Sequence, residues 1–166
     1  TLHAAAESVA PGGTVPLALQ FDIEKGWHAY HPILLSAGGP LSIRFEVPAG
    51  VTFGPLQCAA PYYGEMGGFG YLGFEGQPVV LTTLRVADHV PAGPLTIRAI
   101  IDAQICKELC VPVQAMASLT IPVAPGPNPP ANQKLFEAAH ENLPKPLAEA
   151  PYLRGSQVEV TPAQIT

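Results

Sequence analysis

The chain has 166 residues, 48% of them hydrophobic and only 13% charged, so it can bury a substantial core and disorder throughout is excluded. The formal net charge is −5 without any basic cluster, which argues against nucleic-acid binding. No run approaches the ~20 apolar residues of a membrane-spanning helix, so we expect any such segment to lie outside these residues. The 20 prolines and 16 glycines separate short apolar runs, as in an all-β protein with many turns.

Alternating apolar and polar side chains predict the first strands. Residues 14–24 and 41–47 each place apolar side chains on one face, as half-buried strands do. The run 79–86 is apolar or β-branched on both faces, which predicts a deeply buried central strand. Shorter strand candidates are 27–31, 55–59 and 69–74.

Two later runs predict a hairpin. Residues 95–105 and 115–123 have matching apolar faces and are expected to pair. Side-chain parity turns Cys106 away from the face that carries Ile105, and therefore away from the main core. About seven or eight strands are predicted in all, spaced as in a β-sandwich.

The proline-rich stretch 124–130 predicts an extended connector, so we expect a sandwich domain at 1–124 and an appendage at 125–166. Asn132 is predicted to cap a short helix that Pro144 ends. The apolar face of this helix consists of Leu135, Phe136, Ala139 and Leu143. A further strand is predicted to begin around Val158, Val160 and Ile165.

The most informative feature is a pair of cysteines, Cys106 and Cys110, where one strand-like run ends and the next begins. A bridge across so short a loop removes little unfolded-state entropy, and accessible disulfides exchange readily, so a redox role is favoured over a structural one. Cys58 is a third, spare thiol. Small β domains with bridges usually occur in oxidising compartments.

Three other interpretations stay open. In the first, the pair forms a structural bridge in a hairpin. In the second, the chain is a non-catalytic adhesion or scaffold sandwich whose cysteines only fasten a loop. A copper or zinc module is suggested by the thiols, His28, His31 and Met66. Residues three apart on a strand point to opposite faces, so the two histidines are poorly placed to share an ion. No serine, histidine and aspartate set lies in a nucleophile-elbow or phosphate-loop context.

Four segments, in this order, resemble the amino-terminal periplasmic domain of DsbD-type protein-disulfide reductases, including the ScsB-like suppressor-of-copper-sensitivity membrane proteins. The resemblance covers about residues 10–123. The segments are Gly26-Trp27-His28-Ala29-Tyr30, Val47-Pro48-Ala49-Gly50-Val51, the stretch from Tyr62-Tyr63-Gly64-Glu65 to Gly73-Phe74-Glu75-Gly76, and Cys106-Lys107-Glu108-Leu109-Cys110-Val111-Pro112.

The resemblance implies an immunoglobulin-like sandwich and a thiol-disulfide oxidoreductase of the periplasm. Reducing equivalents would pass from cytosolic thioredoxin through a transmembrane domain of the same protein to this domain. The recipients would be thioredoxin-like domains and periplasmic disulfide isomerase or reductase clients, in processes such as cytochrome c biogenesis and copper resistance. The redox-active disulfide would be the only cofactor, without a metal, and the isolated domain is expected to be monomeric.

The resemblance also implies roles for individual residues. By position, Cys110 corresponds to the cysteine that forms the mixed disulfide with partners, and Cys106 to the cysteine that resolves it. The segment Tyr62, Tyr63, Gly64 and Glu65 corresponds to a cap loop that covers the disulfide until a partner displaces it. Tyr30 corresponds to an aromatic neighbour of the site, whereas Cys58 has no counterpart and is left out of the relay.

Overall fold

A computed structural model describes residues 1–32 and 39–145, which form eleven strands and one helix. The predicted strand at Val158, Val160 and Ile165 lies outside the described residues. The elements are β1 (Leu2–Ala4), β2 (Thr14–Gln20), β3 (His28–Tyr30), β4 (Ser42–Glu46), β5 (Val51–Phe53), β6 (Gln57–Cys58), β7 (Tyr62–Met66), β8 (Phe69–Phe74), β9 (Val79–Val86), β10 (Gly93–Cys106), β11 (Cys110–Val123) and α1 (Gln133–Glu141).

The strands form two sheets with antiparallel pairing. The five-stranded sheet has the order β1-β2-β9-β5, with β6 also pairing with β9. The six-stranded sheet has the order β11-β10-β3-β8-β7, with β4 also pairing with β10. The two sheets pack face to face, so the predicted all-β, immunoglobulin-like sandwich is confirmed.

The main core lies between the two sheets and consists of aliphatic side chains with one buried phenylalanine. It is built by alternation, because every second residue of each strand points inward. Its members on the longest strands are Val15, Leu17, Leu19, Val80, Leu84, Val86, Leu95, Ile97, Ala99, Ile101, Ile121 and Val123. The predicted central strand at 79–86 is confirmed as β9, which pairs with β2, β5 and β6.

The predicted hairpin is confirmed, with β10 and β11 paired from Gly93–Val123 to Cys106–Cys110. The predicted strand at 14–24 is shorter, since β2 ends at Gln20. There Phe21 donates its N–H to the carbonyl of Pro78, and the proline has no N–H to return. The predicted count of seven or eight strands is wrong, because β1, β5 and β7 were not anticipated.

Helix α1 packs on the outer face of the five-stranded sheet, where Phe136 and Ala139 contact Ala18 and Leu81. Asn132 precedes the helix as predicted, but the predicted side-chain cap is wrong. Its backbone is left-handed, and its Nδ2 donates instead to the carbonyl of Ala4 on the neighbouring strand, at 2.9 Å. Within residues 1–32 and 39–145, no helix combines the length and apolar character needed to cross a membrane.

Candidate functional site

Cys106 and Cys110 form a disulfide that closes the tip of the β10–β11 hairpin. Their Cα atoms are 4.1 Å apart, and the three turn residues between them are exposed. The two sulfur-bearing residues differ in access, because Cys106 is 0% exposed whereas Cys110 is partly exposed. A protein that approaches the tip therefore meets Cys110 first.

Cys106 is buried within a small group of side chains that we call the tyrosine cluster. Its members are Tyr30, Tyr62, Met66, Tyr71, Cys106 and Cys110. The cluster lies on the outer face of the six-stranded sheet and is separate from the main core. The parity prediction that Cys106 turns away from the main core is confirmed, although its complete burial on the other face was not anticipated.

Hydroxyl groups of the cluster form a short chain of hydrogen bonds. Tyr62 donates to Oε1 of Glu75 at 2.8 Å, and its oxygen lies 2.9 Å from the hydroxyl oxygen of Tyr71. Because Tyr62 has a single hydroxyl proton, Tyr71 is the donor in the second bond. Burial, together with these two hydrogen bonds, raises the pKa of Tyr62 well above its usual range. Tyr62 therefore stays protonated and fixed between its two partners.

Tyr30 reaches the disulfide itself. Its hydroxyl oxygen lies 3.7 Å from Sγ of Cys110, within range of a weak hydrogen bond to sulfur. Burial raises the pKa of Tyr30, so this group remains a neutral hydroxyl beside the bridge. The predicted aromatic neighbour of the site therefore lies in contact with Cys110, the more exposed of the two cysteines.

His28 lies in the same place, although it was considered only as a metal ligand. Its ring stacks on Tyr71, with centroids 4.2 Å apart and planes 12° apart, and meets Tyr30 edge-on. It is 5% exposed, and its Nε2 has no hydrogen-bond partner among the described residues. Burial lowers the pKa of His28, and the charge of Glu75 opposes that shift only in part. The ring is therefore neutral near pH 7.

The segment predicted as a cap loop is half of a β-hairpin. β7 pairs with β8 from Tyr62–Gly73 to Met66–Phe69. The turn consists of Gly67 and Gly68, with φ angles of 60° and 82°. Two successive residues with positive φ are typical of a tight hairpin turn that glycine adopts without strain.

The hairpin divides the predicted cap residues between two faces. Tyr62 and Gly64 face the tyrosine cluster, and a Cβ atom at Gly64 would lie 2.9 Å from Cε1 of Tyr71. Tyr63 is 66% exposed and donates its hydroxyl to Glu65 at 3.2 Å. Tyr63 and Glu65 therefore lie on the opposite face of β7, away from the disulfide.

Sequence reasoning did not assign Tyr71, Glu75 or His28 to the disulfide. The sequence did contain a signal for Tyr71, because Gly67-Gly68 between two extended segments is typical of a two-residue hairpin turn. That hairpin places Tyr71 on the same face as Tyr62. The contact of both with Cys106 joins strands far apart in sequence, and no local pattern encodes it.

The two histidines considered for a metal site are separated, although Met66, Cys106 and Cys110 lie together and His28 is paired with Cys106. The ring of His31 lies against Phe74, with centroids 5.0 Å apart, whereas that of His28 lies against Tyr71. In the part of the chain that the structure describes, no group of three or more histidine, cysteine, aspartate or glutamate residues is placed to hold a metal ion. Cys58 lies in β6 of the other sheet, where burial raises its pKa.

Comparison with known proteins agrees with this geometry. The family described as thiol:disulfide interchange protein DsbD, N-terminal, matches residues 2–122. No curated protein matches the chain significantly. The N-terminal periplasmic domain of ScsB from Proteus mirabilis superposes with a TM-score of 0.59 at 16% identity, over 86% of this chain and 53% of the ScsB domain. This chain thus spans about half the length of that domain, and the likeness shows the fold alone.

Two further structures are more distant. The reduced N-terminal domain of DsbD from Neisseria meningitidis has a TM-score of 0.35 at 13% identity, over 78% of this chain and 86% of that domain. The periplasmic chaperone SfaE has a TM-score of 0.34 at 11% identity, over 75% of this chain and 57% of the chaperone.

Proposed function

Because the chain belongs to the family of amino-terminal domains of the thiol:disulfide interchange protein DsbD, we propose that it exchanges disulfides for thiols through Cys106 and Cys110. The observation that carries this proposal is the asymmetry of the bridge. One sulfur is sealed beneath the tyrosine cluster, whereas the other lies at the surface of a hairpin tip. Disulfides that exchange need such access, and purely structural ones do not.

The asymmetry assigns a role to each cysteine. In the reduced domain the thiolate of Cys110 attacks a sulfur of the partner's disulfide, which forms a mixed disulfide and releases one partner thiolate. Cys106 then attacks Sγ of Cys110, restores the internal bridge and releases the second partner thiol. Two electrons pass to the partner in each cycle. Cys106 is suited to this second step because it is fully buried and lies within bonding distance of Sγ of Cys110.

The surface around Cys110 suits a docking protein. Leu109 is 78% exposed beside the bridge, and Val111 is also exposed on its other side. Large exposed apolar side chains around a reactive group are typical of a contact surface. A partner that covers them would also exclude water from the exchanging sulfurs.

The β7–β8 hairpin acts as the cap in this proposal. Tyr62 and Tyr71 cover Cys106, and the hydrogen bond from Tyr62 to Glu75 holds the hairpin in place. Tyr30 covers Cys110 from the other side. Tyr63 and Glu65, on the face of β7 opposite the tyrosine cluster, are exposed and available to contact the partner that displaces the hairpin.

The wider role follows from the family. We propose that the domain, residues 1–124 with the segment from 125 appended to it, works in the periplasm as a monomer. It would receive electrons from a transmembrane domain of the same protein and pass them to thioredoxin-like domains or other periplasmic clients. Cytochrome c biogenesis and copper resistance are the processes that such a relay would serve.

Trapping of the mixed disulfide tests the proposal. In a Cys58→Ala background, Cys106→Ala should accumulate a covalent adduct with an oxidised thioredoxin-fold protein, because the resolving thiol is missing. The matched variant Cys110→Ala should form far less adduct, since its remaining thiol is buried. Failure of Cys106→Ala to form an adduct, together with a reduction potential below about −300 mV, contradicts the proposal.

A purely structural disulfide is the second candidate, and the complete burial of Cys106 favours it. In that case the bridge fastens the hairpin tip beneath Tyr71 and never opens. The measured potential separates the two functions, because structural bridges resist reduction whereas exchanging ones have higher potentials.

A further inference from the structure

The sheet register places His28 directly beside the disulfide. On one side of β10 Cys106 pairs with Cys110, and on the other side it pairs with His28. Residues that face each other across antiparallel strands have Cβ atoms about 4.5–5.5 Å apart and point to the same face. The imidazole of His28 therefore lies on the same face as Cys106 and directly across from it on the neighbouring strand.

Glu75 continues the row on the far side of His28. Ala29 pairs with Phe74, so the residue that follows Phe74 comes opposite the residue that precedes Ala29. The charge of Glu75 acts on His28, which agrees with that placement. Thiol, imidazole and carboxylate thus follow one another across three strands.

Nε2 of His28 is buried and has no hydrogen-bond partner among the described residues, a condition that it shares with Nε2 of His3, and of these two histidines only His28 is paired with a cysteine. A buried polar atom without a partner destabilises the folded state, so a side chain of phenylalanine would be more stable in the same stack. A catalytic role is one of the reasons for which such a group occurs in a folded protein.

We propose that His28 is the general base that takes the proton of the Cys106 thiol when Cys106 resolves the mixed disulfide, with Glu75 stabilising the resulting imidazolium. This inference rests on the proposed function and adds a residue to it. It concerns the second step of exchange alone, since Cys110 is partly exposed and can lose its proton to water.

The step balances in atoms and electrons. His28 accepts the proton from Sγ of Cys106, and the thiolate attacks Sγ of Cys110 and forms the internal bridge. The bond between Cys110 and the partner breaks, and its electron pair leaves on the partner's sulfur as a thiolate. His28 then returns the proton to solvent or to that thiolate, and in the reverse reaction the same proton goes back to Cys106.

The neighbouring groups suit this role. Burial keeps His28 neutral, which is the form that accepts a proton. The groups placed against it are Tyr30 on β3, which it meets edge-on, Tyr71 on β8, on which it stacks, Cys106 on β10, which it faces across the strands, and Glu75, whose charge acts on it. Tyr62 on β7 is hydrogen-bonded to Tyr71 and Glu75. Lys107 is the cation next to Cys106 in the sequence, and its Cε would lie 3.5 Å from a Cβ atom at Gly26. Of these groups only Glu75 is an anion that can stabilise a charged ring.

A small aromatic disulfide separates the two steps in time. The reduced chain with Cys58→Ala is mixed with one equivalent of 5,5′-dithiobis(2-nitrobenzoate). The first thionitrobenzoate is released when Cys110 attacks, and the second when Cys106 displaces the group held on Cys110. Both releases are read by absorbance in a stopped-flow instrument, from pH 6 to pH 9. His28→Phe keeps the stack on Tyr71, and His31→Phe is the matched control at a second buried histidine of the same segment.

In the parent chain, which keeps both histidines, we expect the rate of the second thionitrobenzoate release to be nearly independent of pH between 7 and 8.5. In His28→Phe the rate of the second release should be lower than in the parent by about ten- to thirtyfold at pH 7, because only a few per cent of an ordinary thiol is ionised at that pH. It should then rise about tenfold per pH unit up to the pKa of the thiol, whereas His31→Phe should match the parent. The first release should change far less in either variant.

Two results overturn the inference while leaving the proposed function intact. One is an unchanged second release and pH profile in His28→Phe. The other result is measured on the parent chain alone, and is a rate of the second release that rises tenfold per pH unit from pH 7 to pH 8. A parent chain that gives a first release but no second one contradicts the proposed function itself, and His28 with it.

Discussion

The two buried regions of this domain differ in chemistry. The main core between the sheets is aliphatic, with members such as Leu17, Leu84 and Ile97 that are fully buried and have no polar atoms. The tyrosine cluster on the outer face of the six-stranded sheet is buried as well, yet it contains three hydroxyls and a disulfide. One region stabilises the fold, and the other encloses groups that react.

The difference shows how a small sandwich can hold a reactive bridge. The aliphatic core gains its free energy from the removal of apolar surface from water, which needs no special geometry. The cluster depends on directed bonds, such as those of Tyr62, which one partner protein can break and replace. We therefore expect changes in the core to alter stability alone and changes in the cluster to alter exchange.

The largest effect on stability is expected in the core. Leu84→Ala removes a fully buried side chain between the sheets, so the free energy of unfolding should fall by about 2–5 kcal/mol in urea titrations. The exchange rate of the folded protein should stay unchanged. Leu109→Ala is the matched control at the exposed tip, where stability should change by less than about 0.5 kcal/mol. A core variant that slows exchange while still folded contradicts the separation of the two regions.

A smaller loss is expected beneath the cluster. Gly64→Ala places a methyl group against the buried ring of Tyr71, and overpacking of this kind costs about 1–3 kcal/mol. Gly70→Ala makes a similar contact with Tyr63, but that ring is exposed and can move away. Thermal unfolding of both variants should therefore show a lower Tm for Gly64→Ala. Equal Tm values for the two would contradict the described position of Tyr71.

The hydroxyl of Tyr62 is expected to matter more than that of its neighbour. Tyr62→Phe removes the hydrogen bonds to Tyr71 and Glu75, which should cost about 1 kcal/mol and loosen the hairpin. Alkylation and exchange at Cys110 should become severalfold faster. Tyr63→Phe loses only an exposed bond to Glu65 and should resemble the parent in both measurements. If both variants behave alike, the hairpin is not a cap.

The smallest effect concerns pH. The pKa values of His28 and His31 are lowered by burial, so the unfolded chain binds more protons than the folded one below about pH 6.5. Stability should therefore decrease as the pH falls from 7 towards 5.5, and His28→Phe should remove part of that decrease. Urea titrations at several pH values measure it. A stability that rises on acidification over this interval would contradict the buried, neutral state of the rings.

Regular alternation was sufficient to predict most of the fold. The faces of β2, β9 and the β10–β11 hairpin follow from side-chain parity, which also placed Cys106 outside the main core. Strand β7 was missed because Tyr62-Tyr63-Gly64-Glu65 lacks an apolar alternation, and β1 and β5 are only three residues long. Short strands are fixed by their neighbours rather than by their own sequence.

The candidate site was predictable only in its cysteines and in part of its cap. The spacing of Cys106 and Cys110 is a local signal, and the resemblance to a known family supplied Tyr30 and Tyr62. The positions of His28 and Glu75 depend on which strands adjoin β10 and β3, and this long-range register has no local signature. The hydrogen bond from the side chain of Asn132 to the carbonyl of Ala4 on β1 could not be predicted for the same reason.

Mass spectrometry after rapid alkylation tests the central claim most directly. The chain would be quenched before and after mixing with a reduced thioredoxin-fold protein, and the thiols of each cysteine would be counted. The account predicts that Cys106 and Cys110 together carry two alkyl groups in the reduced sample and none in a sample that is reoxidised before the quench, while Cys58 stays constant. A bridge that remains closed under these conditions would contradict it.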